Sequence, residues 1–221
     1  MVLAIAGKHA RVNVLNDDAP IPFTDEPMEV VADTDDKVWQ IVDRSKKYWY
    51  RGTAITVTRN AATVDPQEYF VQHAGGLIHF HESQDSLDDI TVTGEYVTVS
   101  AALGVDDYAF TISAEMVETT QFNVEDEAYE GYSTFVAGLG DISGSLSGFY
   151  VLNNLLQNRI LTQDATIIEF SLPSDPDRHI FACYAFLEDK ELASVVDGRV
   201  DTSVSFQGDG HLLVEDDGAI L

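Results

Sequence analysis

The sequence predicts a mostly β protein, a β-sandwich or barrel with one or two short helices. Within residues 200–207, Val200, Val204 and Phe206 alternate with polar residues, which is typical of a half-buried strand. Residues 142–148 alternate in the same way, with serines at every second position. Turn signals separate the short runs along the chain, a spacing that indicates a sandwich or barrel. They are Asn16–Pro20, Asp65–Pro66, Gly75–Gly76, Gly138–Gly140 and Pro173–Pro176.

We expect one domain over residues 1–221. Its opening is an N-terminal arm of about residues 1–15, in which the apolar Val2–Ala6 orders only on assembly. Consecutive strand patterns predict a hairpin-rich half over about residues 28–118, and a C-terminal half over about residues 119–214.

Two segments have helical patterns. In Asp43–Tyr50 an aspartate precedes a basic turn, as an N-cap does. In Val151–Ile160, apolar residues repeat at helical spacing, and we expect this helix to cover one end or face of the sandwich.

The chain contains 38 acidic and 12 basic residues, a formal net charge of -26. This is strongly acidic for a chain with 45% hydrophobic residues. All 12 bases lie outside residues 60–158. One interpretation is life in high salt, which the excess of aspartate over glutamate and the scarcity of lysine favour. The other is a conduit whose negative wall repels DNA phosphates. Both argue against nucleic-acid binding of the usual kind, which needs a basic patch.

Candidate chemistry is sparse. His79 and His81 alternate on a strand and could be two ligands of a zinc or copper ion, but no third ligand is evident, and exposed histidines are favoured. The acidic runs Asp33–Asp36 and Glu125–Glu127 lack the glycine and closing glutamate of a calcium loop, so solvated charge is favoured. The sole cysteine, Cys183, lies in an apolar run, which excludes an intrachain disulfide and predicts a buried hydrophobe.

No catalytic motif is present, so we expect no enzyme, no catalytic residue, no cofactor and no metal. No apolar run approaches the ~18 residues of a membrane span, and we expect no membrane partner. An aromatic patch could stack on sugar rings, although core packing is favoured; it consists of Trp39, Tyr48, Trp49 and Tyr50. The alternative function is therefore a monomeric β-sandwich module that binds a carbohydrate or a cation.

Several segments, taken in order, resemble the major tail tube protein of long-tailed (siphovirus-like) phages and related tailed viruses. The match covers about 200 residues, and the acidic segment 122–134 departs from it. The matching segments are Ala4–Val14, Trp39–Trp49, Ala54–Thr58, Gly76–Phe80, Asp89–Tyr96, Phe135–Tyr150 and Val196–Gly210.

The resemblance implies a tail-tube-type β-sandwich or barrel and a structural virion protein. Such a chain forms hexameric rings that stack around a tape-measure protein, with a tail terminator and distal tail proteins as further partners. DNA passes through the lumen without specific binding. The expected location is the virion tail, with assembly in the host cytoplasm.

For a chain that forms stacked rings, the uneven distribution of acidic and basic residues motivates two hypotheses. We expect basic residues of one ring to meet acids of the next, and at least Asp141 to face the lumen. The inter-ring set is Arg44, Lys46, Lys47 and Arg51 on one side and Glu125, Asp126 and Glu127 on the other.

Overall fold

Two antiparallel sheets make up the computed structural model, which confirms a mostly β fold. It describes residues 11–32, 34–102, 104–118, 135–149, 159, 162–173, 178–194, 200–216 and 219–220. Among the helices in these ranges, none is long and apolar enough to cross a membrane.

The larger sheet has nine strands, and its main path runs β10-β11-β14-β13-β12-β1-β9, with β15 on β13 and β16 on β15. The strands are β1 (Arg11–Leu15), β9 (Val99–Ala101), β10 (Val105–Glu118), β11 (Phe135–Phe149), β12 (Thr166–Pro173), β13 (Arg178–Ser194), β14 (Val200–Gly208), β15 (Leu213–Asp216) and β16 (Ala219–Ile220). Residues assigned above to an N-terminal arm thus include a strand, β1, that lies between β12 and β9.

The smaller sheet has seven strands in the order β5-β4-β8-β2-β3-β7-β6. They are β2 (Ile21–Val30), β3 (Val38–Ile41), β4 (Thr56–Arg59), β5 (Ala62–Thr63), β6 (Tyr69–Gln72), β7 (Leu77–Phe80) and β8 (Ile90–Tyr96). Among the described strands, the chain passes between the sheets twice, from β1 to β2 and from β8 to β9.

The larger sheet curls around its own core. The ring of Phe110 on β10 lies 4.8 Å from that of Phe170 on β12 and 5.4 Å from that of Phe181 on β13. In a flat sheet, β10 and β12 would lie about 19 Å apart, at roughly 4.8 Å per strand. The sheet therefore closes part of the way towards a barrel.

Glycine in β11 permits that curl. A Cβ atom on Gly144 would lie 2.3 Å from the carbonyl oxygen of Ala109 and 2.7 Å from the ring of Phe206. The missing side chain at Gly144 therefore lets β11 lie close to both β10 and β14.

A shared core joins the two sheets. It takes apolar side chains from strands and loops of both, which pack into one buried cluster. Its members are Leu15, Val31, Tyr48, Ala74, Leu77, Val97, Ile167, Ile180, Ala182, Tyr184 and Leu213.

The helix predicted for Asp43–Tyr50 is wrong in length. Only Arg44–Lys46 form a 3-10 turn, which Asp43 caps by accepting from the Ser45 amide. The backbone then becomes extended, because Trp49 is fully buried and pairs with Tyr96 in a β-bridge. Burial of the Trp49 side chain contributes more stability than a longer helix would, so tertiary packing overrides the local helical preference.

The second predicted helix, Val151–Ile160, lies almost entirely outside the described residues. At its end, the amide of Gln163 donates to the carbonyl oxygen of Arg159 at 3.0 Å, a spacing of one helical turn.

Two hairpins turn through residues with positive φ. Asp35 and Asp36, in one of the acidic runs, have φ of 53° and 55° between β2 and β3. Asn60 and Ala61 have φ of 51° and 65° and connect β4 to β5. Positive φ at both central residues defines a type I′ turn, which favours Asn-Gly. Asp33, the first residue of the acidic run, lies outside the described residues.

Ala61→Gly is expected to stabilise the protein. The alanine Cβ is strained at this φ by roughly 1 kcal/mol, and glycine removes the strain. The urea midpoint should rise. The matched control, Ala62→Gly in the adjacent extended strand, should lower it, and an equal fall in both variants would contradict the turn assignment.

Candidate assembly surface

A buried ionic seam connects the two sheets. Glu215 on β15 is 4% exposed, and its Oε2 accepts from Nζ of Lys47 at 2.6 Å. Its Oε1 lies 3.7 Å from Nη2 of Arg44. Arg44 in turn donates to the carbonyl oxygen of Gly75 at 2.8 Å. Two cations from the 3-10 segment therefore neutralise one carboxylate of the larger sheet.

A second buried carboxylate lies beside the first. Glu169 on β12, also 4% exposed, accepts from Nδ2 of Asn13 at 2.6 Å and from the hydroxyl of Tyr48. Burial raises the pKa of Tyr48 well above its usual value, and the charge of Glu169 adds to the effect. The phenol therefore stays protonated and donates, which makes this a charge-assisted hydrogen bond.

Arg51 lies at the edge of the same junction between the two sheets. Its guanidinium lies over the ring of Tyr184 at 4.1 Å and pairs with the carboxylate of Asp209. The hydroxyl of Tyr184 donates to the carbonyl oxygen of Trp49 at 2.7 Å. Burial raises the pKa of Tyr184 to about 12, so this hydroxyl also remains a donor.

Lys46 is the most outward of the lysines in this segment. It pairs with Glu26 and, at 3.5 Å, with Asp43, and its side chain is 23% exposed. All four basic residues predicted for ring-to-ring contact thus have partners within the subunit. Whether any of them also contacts a second ring stays a prediction.

Sequence reasoning missed these internal partners. Glu215 lies 168 residues from Lys47, Glu169 lies 121 from Tyr48, and Asp209 lies 158 from Arg51. No local pattern marks such pairs. The surplus of carboxylates in the sequence made every pairing equally available.

The predicted acidic partners are placed as follows. Glu125, Asp126 and Glu127 lie outside the described residues. Asp141 lies on β11, where it pairs in register with Ser113 of β10. The lumen position of Asp141 stays a prediction.

A long hairpin extends beyond the rest of the larger sheet. Pairing of β10 with β11 continues to Glu118 and Phe135, whereas β14 pairs with β11 only over Ser143–Phe149. The part from Phe135 to Ile142 is about 25 Å long at roughly 3.3 Å per residue. In the described sheet, β10 has one neighbour, so its outer edge presents main-chain donors and acceptors to another strand.

The face of β11 and β14 that points away from their shared core carries hydroxyl groups. Ser143 is directly opposite Gln207, and the next two opposed pairs consist entirely of serine. On the other face, Leu146 and Phe206 are buried. The alternation predicted for both strands is confirmed.

Of the two histidines considered as metal ligands, His79 packs among other rings. His79 stacks on Phe70 at 4.3 Å, and His211 stacks on the same ring at 5.2 Å. His81 is exposed. In the part of the chain that the structure describes, no three side chains of the metal-ligating types converge.

The remaining candidates are core residues, as predicted. Trp39, Tyr48 and Trp49 are buried, while Tyr50 is 38% exposed. Cys183 is buried, and burial raises the pKa of its thiol to about 11. The thiol is therefore inert at neutral pH.

Comparisons with known proteins show only distant structural similarity. No protein-family model matches the sequence, and no curated protein matches it. The chain is similar in structure to a chain in the tail of an empty gene transfer agent particle with C6 symmetry. That pair shares 16% identity, with a TM-score of 0.40, over 52% of this chain and 84% of that one. A chain of the native gene transfer agent virion shares 17% identity, with a TM-score of 0.38, over 52% and 86%.

Lys47→Met is expected to destabilise the protein strongly. It leaves buried Glu215 with Arg44 at 3.7 Å as its remaining cation, and loss of one partner from a buried pair costs on the order of 3 kcal/mol. Lys46→Met, the matched control, should have a much smaller effect because Lys46 is solvated. Urea unfolding measures both. Equal midpoints for the two variants would contradict the seam.

Proposed function

We propose that this chain is a tail tube protein that self-assembles into stacked hexameric rings, through which DNA passes. The observation that carries the proposal is the β10–β11 hairpin, which extends past its own sheet and in which, among the described strands, β10 pairs with β11 alone. The order of the tail-tube-like sequence segments supports it. The low structural similarity to gene transfer agent tail chains is in keeping with it and carries no part of the argument.

Assembly would proceed by strand pairing. An exposed edge as long as β10 invites uncontrolled association unless a specific strand covers it. Addition of a neighbour's strand satisfies the main-chain groups, as in β-augmentation. Because the same two surfaces meet at each contact, every subunit is rotated by the same angle relative to its neighbour. When these rotations add up to a full turn, the subunits form a closed ring.

The charge of the chain sets the conditions for assembly. Subunits with a net charge of -26 repel one another at low ionic strength. At molar salt the Debye length falls to about 3 Å, and this repulsion is screened. We therefore expect rings and tubes to form more readily in high salt.

The lumen surface is the second part of the proposal. The hydroxyl face of β11 and β14, together with Asp141 and further acids of residues 60–158, would line the channel. Negative groups repel phosphates, and serine hydroxyls carry no positive charge that would attract them, so DNA slides past without binding tightly. Tape-measure, terminator and distal tail proteins would be the partners at the axis and the ends. Density for the inner wall in an assembled tube tests this placement.

The structure does not favour the alternative of a carbohydrate-binding module. Sugar stacking needs exposed aromatic faces, and three of the four residues in the aromatic patch are buried. The three buried residues pack between strands and in the shared core, and this packing explains why aromatic residues are frequent in this segment.

Lysine on the edge strand should prevent assembly. We expect rings or hollow tubes of the native protein by negative-stain electron microscopy in molar salt, and single subunits of Ala109→Lys/Thr111→Lys, because charges on β10 oppose strand pairing. Both residues are exposed, so the fold should persist. Thr63→Lys/Gln67→Lys, with Thr63 on β5 and Gln67 in the 3-10 turn that precedes β6, matches the charge and exposure and should assemble. Assembly of the edge variant, or native monomers at every concentration and salt level, would refute the proposal.

Lys46 provides the test of ring-to-ring contact, because charge reversal at buried Lys47 would also disturb the seam. Lys46→Glu should leave rings intact and shorten tubes, measured as tube length on micrographs. Arg59→Glu, at a base outside the predicted contact, should not shorten them. Tubes of native length from Lys46→Glu would exclude this residue from the contact.

A further inference from the structure

Three rings form a surface platform where the smaller sheet meets the loop before β15. Phe70 on β6 is 39% exposed. His79 lies opposite it on β7, and His211 comes from the loop. The two imidazole centres are 6.3 Å apart, with an angle of 21° between the ring planes. This arrangement has no role in the assembly proposed above.

The hydrogen bonds of Gln72 orient His79. Gln72 is buried, and its Nε2 donates to the carbonyl oxygen of Leu212 at 3.1 Å. Its Oε1 therefore faces Nε2 of His79 at 2.9 Å, and that nitrogen must carry the hydrogen. Nδ1 of His79 then has a lone pair.

This pattern is the one that metal-binding histidines show. A ligating imidazole donates its other N–H to an oxygen that fixes the tautomer and the ring orientation. The hydrogen bond from Nε2 to Gln72 therefore leaves Nδ1 as the nitrogen of His79 that can bind an ion.

The spacing of the two rings is close to that of a shared metal ion. With metal–nitrogen distances of about 2.0–2.1 Å, two imidazoles on one tetrahedral ion have ring centres roughly 5 Å apart. The observed 6.3 Å differs from this by about 1 Å. His211 is exposed and lies in a loop, so a small side-chain rotation is sufficient.

We propose that His79 and His211 bind a late transition-metal ion such as Zn²⁺, Ni²⁺ or Cu²⁺, with water completing its coordination. Imidazole nitrogen suits these ions, and the acidic protein raises their concentration near its surface. Gln72 is a positioning residue in this site. The inference goes beyond the proposed function and does not rest on it.

The test uses Cu²⁺ and Zn²⁺ with the full chain. Titration calorimetry should give one site whose affinity falls at least tenfold in His79→Phe and in His211→Phe, variants that keep a ring in the stack. Electron paramagnetic resonance of one equivalent of Cu²⁺ should show two nitrogen ligands. His81→Phe is the control, since it removes a nearby exposed histidine outside the proposed site, and it should bind as the native protein does.

Gln72→Met separates positioning from folding. It should weaken binding by roughly 10- to 100-fold, as loss of such a partner typically does. Near-UV circular dichroism reports whether the variant keeps its native packing, and a variant that does not is replaced by Gln72→Leu. Binding that survives in the His79→Phe/His211→Phe double variant, or that is lost in His81→Phe, would overturn the proposal.

Discussion

The placement of the two sheets depends on the burial of two carboxylates between them. Glu169 and Glu215 belong to the larger sheet. Tyr48 donates a hydrogen bond to Glu169, and Lys47 neutralises Glu215. Both partners come directly after the 3-10 turn of the smaller sheet's chain segment. An unpartnered buried carboxylate costs several kcal/mol. Sliding or separation of the sheets would leave both without their main partners. The ionic seam thereby selects one relative arrangement, and the shared apolar core supplies the bulk of the attraction.

This seam also determines what remains at the surface. Arg44 and Lys47 lie inside the junction, and Arg51 is stacked at its edge. These three positive charges therefore hold the two sheets together. A chain with a net charge of -26 stays dispersed at low salt. In the proposed assembly, association would come from directional main-chain pairing at the projecting hairpin.

The larger sheet consists of a closed part and a projecting hairpin. The body is closed by aromatic packing of Phe110 on Phe170 and Phe181 inside the curled sheet. Beyond that contact, β10 and β11 continue as a two-stranded ribbon. Isolated two-stranded ribbons are marginally stable in water, so pairing with a further strand stabilises them.

Local patterns in the sequence were enough to identify the strands β11 and β14, the buried Cys183 and the N-cap Asp43, because side-chain alternation and capping involve neighbours along the chain. The helix over Asp43–Tyr50 was wrong because Trp49 is buried between elements distant in sequence. The partners of the basic segment, the closeness of His79 to His211 and the curl of the larger sheet were decided only by tertiary structure. Each depends on residues tens to more than a hundred positions apart, which no periodicity records and which only packing of the whole chain brings together.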